Sequence, residues 1–73
     1  MTIEPYCQWI LDEGQWDLRV GRGSCPRSVA TVFSNGTWHT WDRNGNGGEN
    51  SRESTVGKAK VEAAASAIEQ GFI

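Results

Sequence analysis

The chain has 73 residues, a net charge of −2 at neutral pH and two cysteines, Cys7 and Cys25. This length allows one small domain with a thin hydrophobic core. The cysteines lie outside any CxxC motif, so no zinc site is indicated and we expect no metal and no cofactor. We also expect no membrane contact, because no segment approaches the ~20 apolar residues of a membrane span and none resembles a signal peptide.

Residues 1–14 form the first predicted element, and the pattern leaves its conformation open. Pro5 suits a first helical turn and Gly14 a helix end, whereas the stretch WIL at 9–11 could equally be extended. We expect a short N-terminal helix or an ordered arm. Its apolar side chains have no obvious place in a small core and are available to a partner: Tyr6, Trp9 and Ile10.

Residues 15–42 have the pattern of antiparallel strands. QWDLRV alternates apolar and polar residues, and GRGSCPR marks a loop after it. Two β-rich runs then flank Asn35-Gly36, the strongest short-range signal for a hairpin. A two-residue turn at this point would pair Phe33 with Trp38 and Val32 with His39, which places the members of each pair on one face.

The last two predicted elements are a flexible linker over 43–50, rich in glycine and asparagine, and a helix over 51–70. Asn50 with Glu53 is a plausible capping pair, and Gly71 ends the helix. The predicted buried stripe is Val56, Ala59, Ala63 and Ala67, with Ala64 and Ile68 beside it. Together the elements predict an α+β domain: a three-stranded antiparallel β-meander, with the C-terminal helix packed on one face and a short N-terminal arm or helix.

The stretch DRNGNGGENSRE, residues 42–53, matches the spacing of an EF-hand calcium loop. The segment before it, TWHTW, is a predicted strand, whereas an EF-hand requires a helix there. The eighth place of the loop, normally apolar, is Glu49. We therefore interpret the stretch as a polar connector and expect no calcium site.

Tryptophan and arginine favour binding over catalysis. Four tryptophans exceed the needs of so small a core, although Trp16 and one of Trp38 and Trp41 should belong to it. No acidic residue lies between residues 18 and 41, and no nucleophile–histidine arrangement is suggested around the single histidine, His39. Exposed tryptophan, tyrosine and arginine are typical of interface hot spots. The expected partner-binding residues are Tyr6, Trp9, Ile10, Arg19, Arg22, Arg27, Trp38 and Trp41.

Two classes of partner fit these residues. A small DNA-binding β-meander would use Arg19, Arg22 and Arg27 as groove or phosphate contacts. Three arginines in an otherwise acidic chain provide only weak electrostatic attraction to DNA. A protein partner tolerates the segregated charge better, so protein binding is favoured and DNA binding is the alternative.

The stretch ATVFSNGTWHTWDRNGNGGEN, followed by an alanine-rich helix, resembles the very small early proteins of tailed bacteriophages. In overall size and sequence the chain is similar to a phage regulator of transcription. The resemblance implies an antiterminator in the host cytoplasm that binds the amino-terminal end of the largest subunit of host bacterial RNA polymerase. It also implies inhibition of host transcription initiation and cooperation with a Nus-type elongation factor. We expect a non-enzymatic monomer whose contact with nucleic acid is secondary.

Overall fold

The computed structural model describes residues 7–21 and 27–73. Within these ranges the elements are β1 (Cys7–Asp12), β2 (Gln15–Val20), β3 (Arg27–Val32), β4 (Thr37–Trp41), β5 (Gly47–Arg52) and α1 (Val56–Glu69). The strands form one antiparallel sheet in the order β1-β2-β3-β4-β5. The predicted α+β class, with an antiparallel sheet and a C-terminal helix, is confirmed. The predicted strand number is wrong, because the described part of the sheet has five strands rather than three.

The first correction concerns the N-terminal arm, which is strand β1 over Cys7–Asp12. Glu13 and Gly14 connect it to β2 with φ angles of 51° and 81°. Two consecutive residues at positive φ form the tight turn whose twist matches a β-hairpin, so the chain reverses and β1 pairs with β2 along its whole length. The helical alternative is therefore wrong over these residues. Residues 1–6 lie outside the described part of the chain.

The β3–β4 hairpin lies where it was predicted, but its register differs by one residue. The N–H of Gly36 donates to the carbonyl of Phe33 at 3.0 Å, and the N–H of Phe33 donates to the carbonyl of Thr37 at 2.8 Å. Gly36 has a φ of 87° and Asn35 does not share the positive value, so the loop has three residues instead of two. Val32 consequently pairs with Trp38 rather than with His39.

This shift of one residue changes which residues of β4 share a face with those of β3. The face that α1 covers, called the helix face, carries Leu18, Ala30, Val32, Trp38 and Thr40. The opposite face, called the open face, carries Asp17, Thr31, His39 and Trp41. The prediction that Val32 and His39 share a face is therefore wrong.

The second correction concerns the predicted linker over 43–50. Asp42 instead organises a turn, because its Oδ1 accepts hydrogen bonds from the N–H groups of Asn44 and Asn46 at 2.8 and 2.9 Å. The chain then returns beside β4 as β5. Residues 51 and 52, assigned to the predicted helix, belong to this strand.

Side chains at the end of α1 hold β5 against the sheet. The N–H of Glu49 donates to Gln70 Oε1 at 3.3 Å, and Ser66 Oγ donates to a carboxylate oxygen of Glu49 at 2.5 Å. A Cβ added at Gly48 would lie 2.6 Å from Thr40 Oγ1 and 2.8 Å from a ring carbon of Phe72. The close approach of β5 therefore depends on glycine at this position.

Helix α1 begins later than predicted and ends where predicted. Its N-cap is Thr55, whose side chain accepts the N–H of Lys58 at 3.1 Å, so Asn50 has no capping role. At the other end Gly71 adopts a φ of 78° and the N–H of Phe72 donates to the carbonyl of Ala67 at 2.8 Å. This is the glycine-ended helix stop that the sequence predicted.

The hydrophobic core lies between α1 and strands β2, β3 and β4. Ala59, Ala63 and Ala67 are fully buried, which confirms the predicted alanine stripe. A bulge in β3 inserts Val29 opposite the step from Leu18 to Arg19, and Val29 is also fully buried. Small helix side chains let α1 lie close to the sheet. Among the described residues, no helix has the length and apolar character to cross a membrane.

Candidate partner-binding site

The β1–β2 hairpin packs less closely on α1 than β3 and β4 do, although Leu18 and Val20 of β2 are buried in the core. The helix packs on β3 and β4 and makes a smaller contact with β5. On the helix face of the hairpin, Trp9 pairs with Leu18 and Leu11 pairs with Trp16. Trp9 and Trp16 are partly buried, while Leu11 is 58% exposed. We call the three apolar side chains Trp9, Leu11 and Trp16 the hairpin ledge.

Lys60 of α1 spans the gap between the helix and the hairpin ledge. Its Nζ lies 3.3 Å from the ring centroid of Trp16 and 5.8 Å from that of Trp9. Such cation–π contacts contribute about 0.5–1 kcal/mol each at exposed sites. Ala64 and Ile68 follow Lys60 at intervals of four residues and therefore lie on the same flank of α1, and Ile68 is 63% exposed. The apolar surface thus continues from the ledge onto the helix.

Two apolar residues of the predicted binding set, Trp9 and Ile10, lie on opposite faces of β1. Ile10 pairs with Asp17 and belongs to the open face, where it is partly buried. A partner that contacts both side chains must therefore approach the exposed edge of β1. The predicted residues Tyr6 and Arg22 lie outside the described part of the chain.

Of the predicted arginine contacts, the two in the described part of the chain, Arg19 and Arg27, are each engaged with acceptors of the protein itself. Arg19 Nη2 lies 3.6 Å from Asp12 Oδ2 and 3.5 Å from Asp17 Oδ2. Arg27 Nη2 instead donates a hydrogen bond to the carbonyl oxygen of Phe72, beyond the end of α1. The carboxylates of Asp12 and Asp17 thus lie close to Arg19, although residues 18–41 contain no acidic residue. Folding therefore brings opposite charges together that the sequence keeps in separate segments.

Trp38 is a core residue, so its prediction as a contact residue is wrong. It is 4% exposed, and its Nε1 donates to Glu53 Oε2 at 3.3 Å. The physical reason is the register of the β3–β4 hairpin, which places Trp38 on the helix face beside Val32. A partner cannot reach its ring without opening the fold.

Trp41 lies across the open face and covers polar groups. Its Nε1 donates to Thr31 Oγ1 at 3.0 Å, and Thr31 Oγ1 donates to Asp17 Oδ1 at 2.8 Å. The ring of His39 stacks on Trp41 with centroids 5.4 Å apart and planes 12° apart. Trp41 therefore has a structural role, since it covers the buried Thr31 on a face that has no second layer in the described structure.

An open cleft of about 560 Å³ adjoins Trp41 on this face. Its walls include both signs of charge, with Asp17 and Asp42 alongside Arg27 and Arg43. The hydrogen-bonded chain from Trp41 through Thr31 to Asp17 could not be foreseen, because it depends on the strand register. Because charges of both signs line the cleft, its residues indicate no particular class of ligand.

The ends of the calcium-like pattern have structural roles. Asp42 accepts two backbone N–H groups, and Glu53 accepts the indole N–H of Trp38. Within residues 7–21 and 27–73, no group of three or more His, Cys, Asp and Glu side chains is placed to hold a metal ion. Strand β5 also occupies the second half of the stretch, where an EF-hand has a loop and the start of a helix.

In the hairpin ledge Leu11 is exposed and the two indole rings are partly buried, while Val61 and Ile68 of α1 are the other exposed large apolar side chains among the described residues. In comparisons with family models, curated proteins and solved structures, none matches this chain. Aromatic and aliphatic side chains beside a free strand edge favour binding to another protein.

Proposed function

We propose that the protein is a non-enzymatic, phage-encoded regulator that binds host RNA polymerase at the amino-terminal end of its largest subunit. Binding inhibits initiation of host transcription and, with a Nus-type elongation factor, promotes antitermination in the host cytoplasm. The resemblance of residues 30–50 to small phage proteins supports the proposal that this is a phage-encoded regulator. The observation that carries the proposed contact is the hairpin ledge, together with Ile10 on the other face of β1.

The position of the ledge explains how so small a domain binds a large partner. The core residues of the β1–β2 hairpin are Leu18 and Val20, so the exposed Leu11 and the partly buried Trp9 can contribute to an interface without opening the core. Trp9 is the expected hot spot, because a large aromatic ring that becomes fully desolvated can account for about 2 kcal/mol or more of binding free energy. Lys60 keeps the two indole rings of the ledge in place before binding.

The arginine contacts favour a protein partner over DNA. Arg19 is close to two carboxylates, and Arg27 is bound to a main-chain oxygen near the C-terminal end of α1. Phosphate binding requires cations that are free to replace condensed counterions. A chain with a net charge of −2 and two engaged arginines has little of this capacity.

The first prediction is that immobilised host RNA polymerase retains the protein and that Trp9→Ala weakens retention by about thirtyfold, as expected for a hot spot. Retention by separated subunits should identify the largest one. Arg52→Ala is the control, because Arg52 is exposed on β5 at the far edge of the sheet and should bind like the unaltered protein.

A mobility-shift series over salt concentration separates the two partner classes. We expect negligible affinity for duplex DNA at physiological salt. If no polymerase subunit is retained at micromolar concentration, the proposal fails. Retention of duplex DNA, with a salt slope that falls by about one in Arg19→Ala, would establish the DNA-binding alternative.

A further inference from the structure

The two edges of the sheet differ in how they are protected against pairing with another strand. Strand β5 begins with Gly47 and Gly48, contains a bulge in its pairing with β4, and carries the charged residues Glu49 and Arg52. Short, bulged and charged edges are the usual means by which proteins prevent further strand addition. Strand β1, at the opposite edge, has no glycine and no bulge in its pairing with β2, and its one charged residue is Asp12 at the turn end.

Strand β1 is regular and mostly uncharged. All six residues from Cys7 to Asp12 pair in continuous register with β2, and the sequence CQWILD contains no glycine, proline or basic residue. Such an edge presents an unbroken row of main-chain hydrogen-bonding groups, which is a template for another strand. The side chain of Leu11 beside this row is exposed.

The turn geometry identifies which main-chain groups face outward. The two-residue turn at Glu13-Gly14 makes Asp12 and Gln15 a hydrogen-bonded pair. Hydrogen-bonded and non-hydrogen-bonded pairs alternate in an antiparallel ladder. The N–H and C=O groups of Trp9 and Leu11 therefore point away from β2, toward the free edge.

The same two residues carry side chains of the hairpin ledge, since residues two apart in a strand share a face. Main-chain donors and acceptors thus lie in one line with exposed apolar side chains. At the turn end of this line Glu13 is exposed and acidic, and the exposed carboxylate of Asp12 beside it lies 3.6 Å from Arg19 Nη2. The edge therefore combines pairing groups, apolar surface and local negative charge.

We propose that the partner adds an extended segment to β1 as a further strand of the sheet. This inference rests on the proposed function, because the partner is taken to be the polymerase. The segment would carry apolar side chains at alternate positions, next to Trp9 and Leu11. It would carry a basic residue beside Asp12 and Glu13. Main-chain hydrogen bonds supply affinity in this mode of recognition, and the alternate side chains supply specificity.

The test removes one outward donor while keeping the β1–β2 ladder. Leu11→Pro deletes the N–H of Leu11, and proline is tolerated on an edge strand where that group faces solvent. Leu11→Ala shortens the same side chain but keeps the N–H. Asn50→Pro is the matched control on β5, because the bond from Glu53 N–H to the carbonyl of Gly36 places the N–H of Asn50 outward. Far-UV circular dichroism checks that each variant is folded.

We expect Leu11→Pro to bind purified host polymerase about tenfold more weakly than Leu11→Ala, as expected when one main-chain bond is lost. Asn50→Pro should bind like the unaltered protein. Hydrogen exchange of the full chain, quenched and read by mass spectrometry with residue resolution, supplies a second readout. In the complex the amides of Trp9 and Leu11 should become protected, whereas that of Ile10 is already protected in the free protein.

Each other outcome overturns the inference in a distinguishable way. If the polymerase retains Leu11→Pro as well as Leu11→Ala and the two amides stay unprotected, strand addition is wrong although polymerase binding stands. If the unaltered protein is not retained, the proposed function fails and this inference fails with it. Protection of the same amides in the protein alone would assign the edge to a second copy of the chain.

Discussion

Replacing Gly36 with alanine should lower the free energy of unfolding by more than about 3 kcal/mol, the upper end of the range for most single substitutions. Gly36 has a φ of 87°, where an L-residue costs about 1–2 kcal/mol. A Cβ at this position would also overlap the main-chain carbonyl of Glu53. Glu53 also pairs with Gly36 through the main chain, because its N–H donates to the carbonyl of Gly36 at 2.9 Å.

Gly45→Ala is the matched control for this substitution. Gly45 has a similar φ of 82°, but no atom outside its chain neighbours lies within 4 Å of its Cβ position. Its cost should be limited to the backbone term of about 1–2 kcal/mol. Urea unfolding followed by circular dichroism measures both variants. Equal losses at Gly36 and Gly45 would show that the contact between the β3–β4 loop and Glu53 is not formed.

Trp38→Ala should cost about 3–5 kcal/mol, the usual loss when a buried large aromatic side chain is truncated. The ring is almost completely buried on the helix face against the core around Val32 and the alanines of α1. A domain of 73 residues has a total stability of about 4–11 kcal/mol, so this loss is a large part of it.

Trp38→Phe separates the ring from its hydrogen bond. It keeps most of the apolar volume and loses the bond from Nε1 to Glu53, which should cost about 1 kcal/mol because that carboxylate can still reach water. The same urea experiment compares the two variants. If Trp38→Ala unfolds at nearly the urea concentration of the unaltered protein, Trp38 is not in the core and the register of β3 with β4 is wrong.

The strands and the helix that carry strong local signals could be predicted from the sequence. The alternation in QWDLRV, the hairpin around Asn35-Gly36 and the alanine stripe of α1 all correspond to elements of the structure. Each signal is local, since it depends on the periodicity or the turn residues of one segment. The end of the helix at Gly71 is of the same kind.

The register of the β3–β4 hairpin could not be predicted in the same way. Asn-Gly is compatible with a two-residue turn and with a longer loop that has glycine in the left-handed position. The difference is one residue, yet it moves Trp38 into the core and His39 to the open face. The predicted contact role of Trp38 was wrong for this reason.

Strand β5 depends on tertiary contacts that no local pattern contains. GGENSR has low β-propensity, and its glycines favour a flexible connector when the sequence is considered alone. In the structure, the bond from Thr40 Oγ1 to the carbonyl of Glu49 and the contact of Glu49 with Ser66 hold the strand in place. The contact of Arg19 with Asp12 is also a consequence of strand pairing, whereas Asp17 lies two residues before Arg19 on the same strand.

An NMR titration of the ¹⁵N-labelled protein with an amino-terminal fragment of the polymerase largest subunit tests the binding surface most directly. We predict saturable chemical-shift changes in β1, in the indole N–H signals of Trp9 and Trp16, and at Lys60, with the open-face signals of His39 and Trp41 little changed. Changes confined to His39, Trp41 and the neighbouring turn, or no change at saturating fragment, would contradict the assignment of the β1–β2 hairpin as the polymerase-binding site.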